Sequence, residues 1–434
     1  MQRIINQELF EWKSSINRKP LIVRGARQVG KSYSIKEFGD KFFEGNIHII
    51  NLEKQPDWHS VFDKNFEISR IISVLEILLN KRIHVGRDLL FIDEIQECPN
   101  AILALRYFYE QLPELHIIAA GSLLEFSLKE ISFPVGRVQL LNMHPMNFYE
   151  FLLATNKELL AEIVIKKPEK LSNNIHQLLN DELKNYFFIG GMPECVNSYA
   201  LNKSMPDVFN IQSDLINTFR QDFSKYAAHS DKRCINNVLS SLAQQVGSQI
   251  KYAHLAEGFT NPTIKKAFDL LETARLTTKV NSTNPTGIPL GASVNDKIFK
   301  AIMLDIGLFS NLSGLNVAKE YQHSDLLSMF RGALAEQFVG QELIAAGHNE
   351  LFYWSRQAKS SNAETDYIIE TENGIIPIEV KSGSAGSLKS LHLLFSTYPN
   401  IQKAFVFSNA QLGDLPEHKL SFIPLYYVFS ACRK

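Results

Sequence analysis

The chain of 434 residues is long enough for two to four domains, and 45% hydrophobic with 21% charged residues is the composition of a globular protein with several cores. Its formal net charge of −1 excludes a general electrostatic attraction to nucleic acid. The sequence has no run of about 18 or more apolar residues and no signal-peptide core, and its four cysteines lack C-x-x-C spacing. We therefore expect a cytoplasmic protein without a membrane partner, whose cysteines are reduced thiols.

The first predicted strand, residues 21–23, leads into a loop that fits the pattern G-x-x-x-x-G-K-[ST]. Glycines let such a loop curl so that its N–H groups point at phosphate oxygens, and the helix predicted after it adds the positive end of its dipole. We expect Lys31 to reach the β- and γ-phosphates of ATP and the Ser32 hydroxyl to ligate Mg²⁺. A glycine-rich turn before a helix is the alternative. The predicted nucleotide-binding residues are Gly25, Ala26, Arg27, Gln28, Val29, Gly30, Lys31 and Ser32.

Two acids follow another apolar run. Residues 89–92 predict a buried strand, and Asp93 and Glu94 come directly after it. A parallel sheet presents such residues at the carboxyl edge of its strands. We expect Asp93 to hold the hydration shell of Mg²⁺ and Glu94 to polarise the attacking water. A solvated acidic turn is the alternative, which the upstream loop disfavours.

Strand and helix patterns alternate through the first part of the chain. Strands are predicted over 47–50, 89–92 and 116–120, and helices over 66–80 and 101–111. This alternation is typical of an α/β parallel sheet with helices on both faces. Ser122 follows the third of these strands. We expect it to sense the γ-phosphate or orient the water, or to cap the next helix, and the two roles are compatible.

The middle of the chain changes pattern twice. Residues 155–245 are rich in helical periodicity, and we expect a helical lid over the nucleotide. A short helix, a turn, a longer helix and two strands over 276–280 and 298–304 then predict a winged helix. Lys265 and Lys266 on its second helix could contact the phosphates of nucleic acid. Packing within an ATPase is the alternative use of such a module.

The last part of the chain carries acids in separate predicted elements. Glu336 is the single acid of an apolar helix over 332–339, and Asp366 opens a strand pattern. Strand alternation puts Glu379 and Lys381 on one face of the next strand. Such carboxylates can hold a metal ion for phosphodiester cleavage, while a lysine lowers the pKa of the attacking water or steadies the pentavalent phosphate. The alternatives are a fold that binds without cleaving, or solvated charges at strand ends.

The order of the motifs resembles that of a known family. The phosphate loop, the acidic strand, Ala-Gly-Ser at 120–122 and Gly-Arg at 136–137 before the segment 145–152 are together similar to prokaryotic AAA+ ATPases with a C-terminal domain of unknown function. The resemblance covers essentially the whole chain. It implies ATP and Mg²⁺ as ligands, a homo-oligomer as a candidate assembly, and Arg137 as an arginine sensor or finger for a γ-phosphate in its own or a neighbouring subunit. A surface arginine in a loop is the alternative.

The C-terminal acids resemble the PD-(D/E)XK, or restriction-endonuclease-like, fold, in particular its Holliday-junction-resolvase branch. The residues that match its motif positions are Glu336, Asp366, Glu379 and Lys381. Thr365 stands where a proline is usual. The resemblance implies a second Mg²⁺ or Mn²⁺ held by the three acids, Lys381 as a catalytic residue, and DNA or RNA as a partner.

The sequence thus predicts an α/β protein of four parts. These are a P-loop NTPase domain with a parallel sheet over 1–158, a helical lid over 159–245, a winged-helix domain over 246–325 and a nuclease-like α/β domain over 326–434. We expect an ATP-hydrolysing protein that acts on nucleic acid through its C-terminal domain. The alternative is a protein-remodelling or signalling ATPase whose C-terminal domain binds a protein partner and cleaves nothing. A nucleotide-dependent scaffold is a third hypothesis.

Overall fold

The computed structural model forms two compact units, Met1–His144 and Pro145–Lys434. The residues that it describes are 2–44, 46–63, 65–122, 124–128, 134, 136–226, 231–314, 331–358, 361–372, 374–381 and 388–434. Both units combine helices with a sheet, as expected of an α/β protein. The finer division into four domains stays a prediction.

The first unit contains a five-stranded sheet. Its strands are β1 (Leu21–Arg24), β2 (Ile47–Asn51), β3 (Leu89–Asp93), β4 (His116–Gly121) and β5 (Gln139–Asn142). Their order is β2-β3-β4-β1-β5, and every neighbouring pair is parallel, which confirms the predicted parallel sheet. The helices are α1 (Ile5–Ser14), α2 (Lys31–Phe42), α3 (Ile68–Leu79), α4 (Pro99–Gln111) and α5 (Leu124–Leu128), with 3₁₀ helices at Pro56–Phe62 and Ile95–Glu97.

The central strands of this sheet are buried beneath helices. Every residue of β3 and β4 is buried, and apolar side chains of α3 and α4 pack in the same core. Parallel strands joined through helices bring their carboxyl ends to one edge of the sheet. The phosphate loop after β1 and the acids at the end of β3 therefore lie at the same edge.

The second unit contains an eight-stranded sheet. Its strands are β6 (Thr277–Thr283), β7 (Val294–Met303), β8 (Leu351–Ala358), β9 (Ser361–Thr371), β10 (Gly374–Val380), β11 (Ala404–Ser408), β12 (Gly413–Leu415) and β13 (Leu420–Pro424). Their order in the sheet is β12-β13-β11-β10-β9-β8-β6-β7. β9 and β10 pair antiparallel, which places the strand of Asp366 beside the strand of Glu379.

The helices of the second unit precede, interrupt and follow these strands. They are α6 (Phe148–Ala154), α7 (Glu158–Val164), α8 (Asn173–Ile189), α9 (Pro193–Asn202), α10 (Met205–Tyr226), α11 (Lys232–Gln244), α12 (Asn261–Thr273), α13 (Ile306–Leu312), α14 (Arg331–Ala345), α15 (Lys389–Thr397) and α16 (Val428–Cys432). Short 3₁₀ helices lie at Tyr252–His254, Leu290–Ser293, Pro416–His418 and Leu425–Tyr427.

The two strands predicted as a wing belong to this sheet. β6 and β7 pair antiparallel, as expected. β6 also pairs in parallel with β8, with Val280 opposite Leu351. A two-stranded hairpin on its own buries too little surface to be stable, and the apolar strand β8 supplies a third strand. The helix expected over 250–257 is a single 3₁₀ turn, Tyr252–His254. A separate winged-helix module is therefore not confirmed.

Polar contacts cover the outer side of β7, the last strand in the order. The Gln337 side chain on α14 accepts a hydrogen bond from the N–H of Met303 and donates one to its C=O, both at 2.8 Å. Further along the strand, Ile250 exchanges two backbone hydrogen bonds with Phe299. The amide side chain thus acts on β7 as a neighbouring peptide group would.

A turn of two glycines follows α8 and is hydrogen-bonded to Asp305 at the start of α13. Gly190 has a φ of +75°, and a Cβ at this position would lie 2.2 Å from Oδ1 of Asp305. The buried Asp305 accepts hydrogen bonds from the N–H of Gly191 at 2.5 Å and from the N–H of Leu308 at 3.0 Å, in the first turn of α13. Glycine is required at 190 both for the backbone conformation and for the close approach of the carboxylate.

Helix α14 carries polar side chains into the interior of the second unit. Gln341 accepts a hydrogen bond from the N–H of Ile306 at 2.9 Å and donates one to the Tyr186 hydroxyl at 2.7 Å. Glu342 accepts one at 2.9 Å from the N–H of Phe148, the first residue of α6. Burial nevertheless raises the pKa of Glu342 to about 8. The buried polar side chains of α14 are Glu336, Gln337, Gln341 and Glu342.

We predict that Glu342→Gln makes the protein more stable at about pH 8. The folded state holds the Glu342 proton up to about pH 8, whereas the unfolded state releases it near its ordinary value of 4.5. Between these two pKa values the folded state therefore binds more protons than the unfolded state. As pH rises through this range, the contribution of Glu342 to the free energy of unfolding falls by up to ~1.4 kcal/mol per pH unit. Glutamine keeps the acceptor for Phe148 and removes the ionisation.

The measurement is chemical denaturation of both proteins at about pH 5 and about pH 8, with Glu350→Gln as the matched control, because Glu350 is an exposed acid in the same unit. The advantage of Glu342→Gln over the wild type should be largest at the higher pH. An equal difference at both pH values would show that ionisation of Glu342 does not contribute.

Candidate functional site

The phosphate loop has the backbone that its sequence predicts. Gly30 has a φ of +95° and precedes α2, so that Lys31 and Ser32 are the first residues of the helix. Gln28, an exposed residue, also has a positive φ of 63°. Residues Gly25, Ala26 and Val29 are buried, and Arg27 is half-buried. This curled backbone followed by a helix start is the arrangement that directs N–H groups at an anion.

The Lys31 side chain is folded into this loop. Its ammonium donates hydrogen bonds to the carbonyl oxygens of Gly25 at 3.0 Å and Ala26 at 2.8 Å, and only 7% of the residue is exposed. The loop backbone thus holds the cation at the place where a phosphate chain would meet the helix start.

An arginine that the sequence analysis did not single out supports the loop from outside. Arg3 is buried and donates hydrogen bonds to the carbonyl oxygens of Val29 at 3.0 Å and His144 at 2.7 Å. It lies just before α1, which packs on the unit through Leu9 and Trp12. No motif marks Arg3, because its partners are backbone atoms that only the fold brings near.

Asp93 lies beside the hydroxyl of Ser32. Ser32 Oγ donates to Asp93 Oδ1 at 2.8 Å, and Asn51 Nδ2 donates to Asp93 Oδ2 at 3.2 Å. Asn51 is the residue opposite Asp93 in the pairing of β2 with β3, a role that the sequence alone did not reveal. Burial raises the pKa of Asp93, and the hydrogen bond from Ser32 opposes this shift. Hydroxyl and carboxylate oxygens are ligands that Mg²⁺ prefers, so these residues fit the expected metal.

Glu94 stands in an uncommon backbone conformation. Its φ of 51° and ψ of 47° are left-handed, which non-glycine residues seldom adopt outside functional sites and turns. Its carboxylate accepts a hydrogen bond from Gln96 Nε2 at 2.7 Å, and Ser122 Oγ lies 3.5 Å from the same oxygen. Ser122 is buried at the end of β4. Ser122 therefore lies beside the acid that follows β3, its predicted role stays a prediction, and Gln96 is a further residue that the sequence analysis missed.

Arg137 lies at the other edge of the sheet. β5 begins at Gln139, which is opposite Leu21 at the start of β1, whereas the phosphate loop follows the end of β1. The length of β1 alone separates these edges by about 13 Å. The Arg137 side chain is 46% exposed and donates to Glu110 Oε1 at 3.0 Å. The geometry therefore does not place Arg137 beside the phosphate loop of its own chain.

The predicted C-terminal acids surround a lysine. Lys300 Nζ lies 2.8 Å from Glu336 Oε1 and 3.6 Å from Asp366 Oδ1, and it also contacts the carboxylate of Glu364. These residues come from β7, α14 and β9, and we call Lys300 with its three acids the Lys300 cluster. Burial raises the pKa of Glu336 to about 8, although the charge of Lys300 opposes this. The sequence analysis assigned Lys300 to a wing strand, and its only signal was a cation within an apolar run.

The other two predicted residues pair with each other. Lys381 Nζ lies 2.5 Å from Glu379 Oε1. Asp366 links this pair to the Lys300 cluster, because its Oδ2 accepts a hydrogen bond from the N–H of Val380 at 2.7 Å. Burial raises the pKa of Glu379 to about 7, and the nearby charge of Asp366 adds to the shift.

The predicted second metal site is not confirmed. In the part of the chain that the structure describes, no group of three or more histidine, cysteine, aspartate or glutamate side chains is suited to a metal ion. The structure does gather Glu336, Asp366, Glu379 and Lys381 in one region, as the sequence predicts. The reason for the difference is Lys300, whose ammonium lies among the carboxylates that a divalent ion would need.

Three regions of the chain match known families. Residues 17–152 match a family described as an AAA domain. Residues 180–319 match a domain of unknown function, DUF8612, and residues 331–427 match another, DUF4143. No curated protein matches the chain. The first match spans the phosphate loop and both acids after β3, and it supports an AAA-type P-loop ATPase domain. The other two confirm neither a winged helix nor a restriction-endonuclease-like fold.

Solved structures of other P-loop proteins are similar to the chain at low identity. The Walker-type ATPase paby2304 of Pyrococcus abyssi has a TM-score of 0.45 and 15% identity over 72% of this chain and 95% of its own. AMPPCP-bound DnaA from Aquifex aeolicus has a TM-score of 0.32 and 14% identity over 63% and 89%. RuvB of Thermotoga maritima has a TM-score of 0.31 and 15% identity over 66% and 90%. Scores below 0.5 do not establish a common overall fold. Among the described helices, none combines the length and hydropathy needed to cross a membrane.

We predict that Lys31→Ala weakens ATP binding roughly 10- to 100-fold, because a charge-assisted hydrogen bond to phosphate contributes ~1.5–3 kcal/mol. Calorimetric titration with ATP and Mg²⁺ measures the loss. Lys36→Ala is the matched control, since Lys36 is an exposed lysine on the same helix. If Lys31→Ala binds ATP as tightly as Lys36→Ala, then Lys31 is not a phosphate ligand.

Proposed function

We propose that the chain binds ATP with Mg²⁺ in its first unit and hydrolyses it there. One observation carries the proposal: a curled loop with a buried lysine, a serine bonded to an aspartate, and a second acid in a left-handed turn all lie at the carboxyl edge of one parallel sheet. The AAA domain match over residues 17–152 supports it. These parts are the ones that phosphoryl transfer from ATP to water requires.

Each residue has a separate task in this proposal. The loop N–H groups and Lys31 bind the phosphate chain, and Ser32 with Asp93 would hold Mg²⁺, which supplies positive charge against the phosphate oxygens. Glu94 orients a water towards the γ-phosphorus and takes up its proton as the bond to the leaving oxygen breaks. Gln96 and Ser122 keep the Glu94 carboxylate in place. Asn51 holds the second oxygen of Asp93 and so fixes the direction of the first.

Arg137 acts, in this proposal, on the ATP of a neighbouring subunit. It is exposed, it lies at the edge opposite to its own phosphate loop, and it is paired with Glu110 at the surface. A homo-oligomer that brings this edge of one copy to the loop edge of the next would complete the site. The arginine would then neutralise charge that develops as the phosphate leaves.

We further propose that the second unit is a binding platform for a protein partner and does not cleave nucleic acid. In the Lys300 cluster and the Glu379–Lys381 pair both ammonium groups contact carboxylates of the same unit, which leaves less positive charge for a phosphodiester backbone. Lys265 and Lys266 on α12 are the exposed cations that would favour nucleic acid instead. Measuring ATP hydrolysis with and without DNA distinguishes a protein partner from nucleic acid. Stimulation of hydrolysis by DNA that is lost in the double variant Lys265→Ala, Lys266→Ala would contradict the protein-partner proposal.

We predict that Glu94→Gln lowers kcat roughly 100- to 10,000-fold while ATP affinity stays unchanged, because the amide keeps the shape of the side chain and removes the base. Steady-state hydrolysis and calorimetric titration measure the two quantities on the same protein. The control is Glu97→Gln, an exposed acid in the same turn, which should hydrolyse ATP at the wild-type rate. A Glu94→Gln protein that retains wild-type turnover would exclude Glu94 as the base.

We predict that Arg137→Ala hydrolyses ATP roughly 1,000-fold more slowly and binds it normally, the loss typical of an arginine finger. Mixing it with Lys31→Ala should restore part of the activity, because a Lys31→Ala subunit offers an intact Arg137 to the intact loop of its neighbour. Arg106→Ala is the control, since Arg106 contacts the same Glu110 at 3.1 Å. Full activity of Arg137→Ala, or no recovery on mixing, would contradict a finger supplied by the neighbouring subunit.

A further inference from the structure

The Lys300 cluster has the composition of a metal site with an amino group at its centre. Three acids from two elements converge on one point, and the side chain of Lys300 that occupies it is only 2% exposed. We propose that Lys300 is the resident cation of this cluster, that it takes the place a divalent ion would need, and that removing its ammonium turns the same acids into a Mg²⁺ or Mn²⁺ site. The proposal concerns the second unit alone and does not depend on ATP hydrolysis.

The Lys300 side chain is buried. A lysine near a surface can extend its charge into water, but Lys300 is buried and its Nζ lies 5.4 Å from the centre of the Tyr353 ring, which favours a cation. Burial alone would drive the proton off, yet the three acids hold the pKa of Lys300 well above its usual value. The group is therefore a permanent positive charge at this point.

The acids are oriented towards this charge by bonds on their other sides. Gln249 Nε2 donates to Glu364 Oε2 at 2.5 Å, while the Glu364 Oε1 atom faces Lys300. Asp366 uses Oδ2 for the N–H of Val380 and Oδ1 for Lys300. The main chain of Glu336 accepts a hydrogen bond from the Tyr367 hydroxyl at 2.8 Å, which fixes that turn of α14. One carboxylate oxygen of Glu364 and one of Asp366 thus face the cation, while the other oxygen of each is held by the protein.

A divalent ion and this ammonium cannot share the site. A metal close enough to bind the Lys300-facing oxygens would lie within a few ångströms of Nζ, and like charges at that distance repel strongly when water is excluded. The metal implied by the resemblance to restriction-endonuclease-like enzymes therefore does not fit these residues. Glu379 Oε2, a buried oxygen for which the described residues provide no hydrogen-bond partner, is the one feature that favours a metal.

The test is a titration of the nucleotide-free full chain with Mn²⁺ and, separately, Mg²⁺, followed by calorimetry, thermal unfolding and the electron paramagnetic resonance of Mn²⁺. All proteins carry Asp93→Asn, so that the first unit contributes no metal site. The variants are Lys300→Met, which keeps the aliphatic stem, and Lys300→Met with Asp366→Asn. Lys265→Met is the matched control, because it removes an exposed lysine of the same unit.

We expect no saturable metal binding by the Asp93→Asn parent or by Lys265→Met. Lys300→Met should melt at a lower temperature without metal, because the buried Glu336 and the half-buried Glu364 and Asp366 then lack a counter-charge. Mn²⁺ should bind at one site per chain and raise the melting temperature. The additional Asp366→Asn change should abolish this binding. Metal binding by the parent that Asp366→Asn removes would overturn the proposal, and so would a folded Lys300→Met protein that binds none.

A second variant keeps the test decisive if Lys300→Met does not fold. Lys300→Met with Glu364→Gln has one charge fewer in the cluster, and the glutamine oxygen still accepts from Gln249. It retains Glu336 and Asp366 as metal ligands. Binding of Mn²⁺ by this protein supports the proposal, and its absence contradicts it.

Discussion

The ion pairs of Lys300 are the interaction on which the second unit depends. A buried charge destabilises a protein by several kcal/mol unless it is paired, so the strand that carries Lys300 is stable only against the helix and hairpin that carry its acids. Lys300 and Glu336 are 36 residues apart in the sequence, and Asp366 comes later still. The same strand ends at Met303 and leads to Asp305, which closes on the glycine turn. One charge therefore makes the assembly of sheet and helices cooperative.

The carboxylates of the two units are stabilised by different kinds of group. In the first unit, Asp93 receives hydrogen bonds from Ser32 and Asn51, which are neutral groups that can be exchanged for a metal ion and its water. In the second unit, the acids receive a fixed cation. Hydrogen bonds from neutral groups can be replaced when a ligand binds. Lys300 is part of the chain, so its charge stays beside its acids. The acid of the first unit is thus held by groups that a bound metal ion could replace, and those of the Lys300 cluster by a cation of the chain itself.

The sequence was most informative where a function depends on neighbouring residues. The phosphate loop and the acids after β3 are contiguous motifs, and the structure brings them to one edge as the strand pattern predicts. Arg3, Gln96 and Lys300 escaped prediction because their roles arise from contacts that only the fold makes. The winged helix is not confirmed for the same reason, since the local pattern of β6 and β7 does not reveal that β6 also pairs with β8. Local chemistry was therefore predictable, and the choice of distant partners was not.

The contacts along the outer side of β7 have a consequence for the behaviour of the chain in a crowded solution. An open strand at the end of a sheet is a template on which another chain can add a strand and begin to aggregate. On β7 the hydrogen-bonding groups of Phe299 and Met303 are already taken, by Ile250 and by the side chain of Gln337. At the opposite edge of the sheet, the last strand, β12, is only three residues long. These contacts at one end of the sheet and the short strand at the other thus make both ends poorer templates for strand addition.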